Sequence, residues 1–113
     1  MSAEKIDQLF GYVQERCLWQ FSSRSWDRQE NIDGIISTAT DLLAGREPKR
    51  DTPMNKIFYA DALLMVGDFK NRFPWMASLA PGEADELMTG LRDLLVDHTI
   101  TKSLNHELNH SLY

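Results

Sequence analysis

The sequence predicts an all-α fold, a compact bundle of four main helices followed by a short C-terminal one. Three observations lead there. Apolar residues recur at helical spacing in four separate segments, these segments carry start and stop signals, and no stretch sustains the period-two alternation of a strand. With 113 residues, a single helical domain over 1–113 is expected to bury roughly 65% of its unfolded surface around one core.

The first helix starts near Ser2. At 100° per residue, Ile6, Leu9, Phe10, Val13 and Cys17 share one arc of about 100°, the core stripe of an amphipathic helix. Tyr12 and Trp19 project onto a flank shared with Lys5, Gln8 and Glu15, so this helix is expected to present a second, aromatic surface. Ser22, Ser23 and Ser25 interrupt the pattern. Ser25 is read as the cap of a second helix, with Asp27 and Glu30 at the positive end of its dipole and Trp26 off its core stripe. That stripe is Ile32, Ile35, Ile36, Ala39, Leu42 and Leu43, and Gly45 closes the helix as a left-handed cap. "GREPKRDTP" then reads as a surface loop.

Thr52 caps the third helix and Pro53 takes its first position; Pro74 stops it at Phe73, with Trp75 in a short connection. From Ile57 to Val66 it is apolar on every side except Asp61, which predicts the central, most buried helix. The fourth starts around Pro81, with Glu83, Asp85 and Glu86 in its first turn. It aligns Ala84, Leu87, Met88, Leu91, Leu94, Leu95 and His98, placing His98 in the core. After the β-branched triplet Thr99, Ile100 and Thr101, Ser103 is expected to cap a short docking helix bearing Leu104, Leu108 and Leu112.

The charge narrows the partners. Twelve basic and seventeen acidic side chains give a net −5, which disfavours nucleic acid and anionic lipid surfaces. No run of about 18 apolar residues could span a bilayer, and the polar, acidic start "MSAEKIDQLF" is unlike a signal peptide, so a cytoplasmic location is expected. Cys17 is the only thiol. This chain alone cannot form an internal disulfide or hold an iron–sulfur cluster or a cysteine-rich zinc site.

Two constellations carry potential chemistry. "HELNH", His106 to His110, places two imidazoles one helical turn apart around Glu107, the arrangement of a catalytic zinc site. Such a site needs a third ligand, and only Ser111, Leu112 and Tyr113 follow, so a polar terminal helix is the preferred reading and no metal ligand is assigned. Asp61 in its apolar helix calls for a partner, with Arg24 and Arg28 as candidate donors; an ion pair or cap is preferred to a catalytic acid, and Asp61→Asn is expected to destabilise the fold. There is no glycine-rich phosphate loop, no G-x-S-x-G elbow and no cysteine with an evident histidine partner. No catalytic or cofactor-binding residue is expected on this chain.

What stands out is "CLWQFSSRSWDR", residues 17 to 28. Trp19 and Trp26 lie off their core stripes beside Arg24 and Arg28, and tryptophan and arginine dominate binding hot spots. Together with Phe21 they are the candidate partner-binding residues.

These blocks, with "FYADAL", "RFPW" and "ITKSLNHELNHSLY" in that order, resemble the small delta subunit of the alternative nitrogenases nearly end to end. The compact N-terminus, "RFPW" and the "ELNH" ending with "LY" look more like the vanadium than the iron-only form. The alanine before Pro81 departs from the polar cap expected there. The resemblance implies an all-helical accessory protein docked mainly on alpha in a hexamer of two alpha, two beta and two delta chains. Alpha and beta carry the iron–vanadium cofactor and the iron–sulfur P-cluster. A separate iron protein supplies electrons with ATP hydrolysis, drawing on reduced ferredoxin, and the complex reduces dinitrogen to ammonia. Delta would thus be a non-catalytic subunit of an oxidoreductase. Alternatives are the delta subunit of an iron-only nitrogenase, a helical factor assisting cofactor insertion into apo-nitrogenase, and a small zinc enzyme.

Overall fold

The computed structural model describes residues 2–17 and 29–111, and of residues 2, 16, 17, 81 and 99–111 the backbone alone. Among the described residues the chain is mostly helical, without a strand. Helix α1 is Ser2–Tyr12, followed by a π turn Val13–Cys17; α2 is Gln29–Ala44; α3 is Pro53–Arg72; a 3-10 turn is Pro74–Ser78; and α4 is Pro81–Ser111.

The local signals act as the sequence predicts at three ends. Gly45 stands at φ 76° after α2, its N–H donates to the Leu42 carbonyl and that of Arg46 donates to Asp41, which together satisfy the last carbonyls in a Schellman motif. At α3 the Thr52 hydroxyl accepts from the Asn55 N–H at 3.1 Å, and the Asn55 amide donates to Asp51 at 2.8 Å. That bond holds the Asp51 carboxyl below its usual range. Phe73, extended at φ −120°, ends α3 before Pro74. Ser25, the expected cap of α2, lies outside the described residues.

One boundary differs. The fourth helix and the expected C-terminal helix are one helix of 31 residues: the backbone runs through Thr99, Ile100 and Thr101 and past Ser103 without a break. β-Branched residues cost only a few tenths of a kcal/mol each in a helix, and no glycine or proline lies between Gly90 and Ser111 to stop it. The short connection expected after Phe73 is the 3-10 turn, and Trp75 sits in it.

The central helix is α2 rather than α3. It packs on both α3 and α4, while α1 lies along α4. Ile32, Ile35 and Ala39 are 0–1% exposed because neighbours cover α2 from two sides. Thr38 and Thr40 direct their hydroxyls back to the carbonyls of Gly34 and Ile36, so neither leaves a polar atom facing the core. Gly34 permits the α2–α3 approach, since the Phe58 ring occupies the space where a Cβ would stand. The core is completed by Leu9 and Val13, by Ala62, Met65, Val66 and Phe69, by Met76, and by Leu87, Met88, Leu91 and Leu95.

Two side chains leave their predicted places. Tyr12, expected on a second surface, is buried and meets Phe69 and Phe73 edge-on at 5.7 and 6.1 Å between centroids. The turn after α3 closes over this flank: Trp75 Nε1 donates to Gln8 Oε1 at 3.3 Å and the Lys5 ammonium lies 5.1 Å from its ring. The second face of α1 is thus partly consumed within the chain. His98, expected in the core, is exposed at the outer edge of α4, with its ring against Phe10.

Candidate functional site

A groove of about 410 Å³ lies between α2 and α4, lined in part by Ile36 and Met88. Its charged groups are committed to one another. Arg92 Nε donates to Asp33 Oδ1 at 2.7 Å and Nη1 to Asp93 at 3.1 Å. Arg46 donates to Asp41 at 3.1 Å and to Asp85 at 2.8 Å, which holds the Asp85 carboxyl below its ordinary range. Each arginine joins α2 or its cap to α4. With both guanidiniums engaged by carboxylates, the two arginines fasten α2 to α4 along this groove.

Among the described residues no group of three His, Cys, Asp or Glu side chains could hold a metal ion. His106, Glu107 and His110 lie on the backbone of α4 where side chains are not described. Among the described residues no helix is long and apolar enough to cross a membrane.

The candidate contact residues Trp19, Phe21, Arg24, Trp26 and Arg28 lie outside the described residues, so the structure neither gathers nor disperses them.

A different surface appears on α3. Its inner side, Ala62, Met65, Val66 and Phe69, is buried, whereas Met54, Ile57, Leu63 and Leu64 stand 46–59% exposed. Ile57, Asp61 and Leu64, spaced i, i+4 and i+7, make one stripe of the outer side. Lys56, Lys70 and Asn71 are exposed around it. Asp61 is half-buried there, and burial raises its carboxyl above the usual range; no described residue gives it a cation or a hydrogen-bond donor. The expected ion pair or cap is therefore not found among the described residues. The expected all-round burial of this helix is also corrected: α3 sits at the edge, against α2 and the turn of residues 74–78, so one side is left uncovered. A helix apolar all round was the sequence signal for this surface, since a second apolar face can serve a second chain as well as its own core.

Comparison with known proteins bears on the whole chain. Residues 3–113 match the family described as the vanadium/alternative nitrogenase delta subunit. The chain is similar to a nitrogenase iron-iron protein delta chain of Clostridium pasteurianum, 38% identical over 112 residues covering 99% of this chain and 97% of that one. It is likewise 38% identical to the chain of that name in Rhodobacter capsulatus, over 94% of this chain and 92% of the relative. A third of the same name, in Azomonas macrocytogenes, is 30% identical over 97% and 98%. With a family match over nearly its whole length and relatives of comparable size, this chain belongs to the delta subunits of the alternative nitrogenases.

Proposed function

We propose that this chain is the accessory delta subunit of a vanadium nitrogenase, docking on the alpha subunit of the component that reduces dinitrogen to ammonia. The observation that carries the reading is the delta-family match over residues 3–113. Cys17 is the only thiol, which supports leaving the iron–vanadium cofactor and the P-cluster to alpha and beta chains in an alpha2-beta2-delta2 hexamer. The chain then acts by surface complementarity, and the iron protein with its ATP hydrolysis addresses the larger subunits. Trp19, Phe21, Arg24, Trp26 and Arg28 remain proposed contacts with alpha, on the strength of their residue types and spacing. A cytoplasmic location accords with this assembly.

The vanadium assignment rests on "RFPW", the compact N-terminus and the "ELNH" ending with "LY". A second reading, delta of an iron-only nitrogenase, is favoured by the names of the relatives, which are iron-iron delta chains. Purifying the native complex through a tag on this chain, and measuring its subunits, vanadium, iron and dinitrogen reduction, separates the two. Stoichiometric alpha and beta with vanadium is the expected result. Iron without vanadium selects the second reading, and recovery with apo-nitrogenase alone selects a cofactor-insertion factor.

A further inference from the structure

The outer side of α3 differs from an ordinary solvated helix face in two independent ways. Four large apolar side chains, Met54, Ile57, Leu63 and Leu64, are about half exposed within about three turns, where scattered single apolar residues would be unremarked. On the stripe of Ile57 and Leu64, and on the opposite flank from Leu63, stands a carboxylate half out of water with no donor among the described residues. Elsewhere on this surface Asp33, Asp41, Asp85 and Asp93 each have an arginine. An apolar patch inside a polar rim is the anatomy of an interface, and a carboxylate within it selects a partner that brings a cation.

We propose that the outer face of α3, with Ile57, Asp61 and Leu64 as its stripe, docks on an apolar patch of a larger partner chain that directs an arginine or lysine at Asp61. The proposal rests on the reading of this chain as an accessory subunit and names the face and its chemistry. Leucine and isoleucine supply the area removed from water. Asp61 fixes the register, since sliding by one helical turn would leave two opposite charges desolvated and apart.

The test uses the complete complex, expressed with a tag on this chain, and quantifies the larger chains recovered. Leu64→Asp and Asp61→Arg are each expected to lower recovery about tenfold or more, as central interface residues do. Asp61→Asn lowers it less. In the isolated chain Leu64→Asp keeps the wild-type helical circular dichroism and thermal midpoint. Undiminished recovery with Leu64→Asp overturns the proposal while leaving the subunit reading intact; failure of the wild-type chain to bring any larger chain overturns that reading itself. A fall in the thermal midpoint of isolated Asp61→Asn that Arg24→Ala or Arg28→Ala reproduces assigns the cation to this chain and also overturns it. Should Leu64→Asp not fold, hydroxyl-radical oxidation of wild-type Met54 and Leu64 decides: it is expected to drop in the complex, and equal oxidation in the free and assembled chain refutes the docking face.

Discussion

Along α3, Ala62, Met65, Val66 and Phe69 on one side and Ile57, Leu63 and Leu64 on the other are of one chemical type, yet the first four are 0–6% exposed and the other three 46–59%. Residue type does not separate the two sides. What separates them is the rest of the chain: α2 and the turn after α3 cover one side and not the other. The contrast teaches that apolar periodicity marks a surface that leaves water, without telling which chain takes it out.

The comparison can be broken most severely at its buried end. Phe69→Ala removes a fully buried ring that touches Tyr12 and Phe73 and is expected to cost about 3–5 kcal/mol in urea unfolding of the isolated chain. Leu64→Ala, on the other side of the same helix, should stay within about 0.5 kcal/mol. Equal losses at the two positions would mean that the outer face is covered within the chain.

A smaller effect is expected where α3 meets α2. Gly34→Ala drives a methyl into the Phe58 ring, an overlap of about 1–3 kcal/mol against a helix-propensity gain of about 1 kcal/mol, leaving a net loss. Gly90→Ala meets the Ile6 side chain most closely at its terminal methyl, which can turn aside, so its loss should be smaller than that of Gly34→Ala by the same unfolding measurement. Thr52→Ala, which removes the cap of α3, should cost about 1 kcal/mol and fray the end nearest Met54 and Ile57, visible as faster amide exchange there.

The finest distinction concerns protons. Burial raises the Asp61 pKa in the folded chain, so the fold favours its protonated form; the associated stability is present below the ordinary aspartate value of about 3.9 and is lost as pH rises through the raised value. Asp61→Asn should therefore match the wild-type thermal midpoint at pH 3 and exceed it at pH 7, opposite to the destabilisation expected from an ion pair. Asp85 behaves in the reverse sense. Its contribution is present above the ordinary value and is lost as pH falls through a pKa lowered by Arg46. Scanning the melting temperatures of Asp61→Asn and Asp85→Asn against the wild type from pH 3 to pH 7 checks the two signs.

Much of the fold was legible because it rests on neighbours in sequence. Gly45 at the end of α2, Thr52 and Pro53 at the start of α3, and Pro74 after it act through backbone groups within a few residues, so spacing suffices to place them. The split of the last helix failed for a related reason: Ser103 is a cap only where the preceding backbone leaves the helix, and nothing forces it to leave. Tyr12 and His98 changed places relative to expectation, one entering the core and the other leaving it, because their environment is set by Phe69 and Phe73 and by the outer edge of α4. Of the candidate site, the residue types around Trp19 were legible, while the α3 face was visible only as an apolar excess read as burial.

By itself the sequence determined the helical class, the caps, the stop at Phe73, the single thiol and the blocks characteristic of the delta family, since each is written in local spacing or in residue identity. Tertiary structure alone decided that α2 rather than α3 is central, that Tyr12 is enclosed, and that Ile57, Asp61 and Leu64 face outward. The physical reason is that burial is a relation between distant segments. A helix fixes which side chains share a side, and only the packing of other helices against it fixes which side meets water.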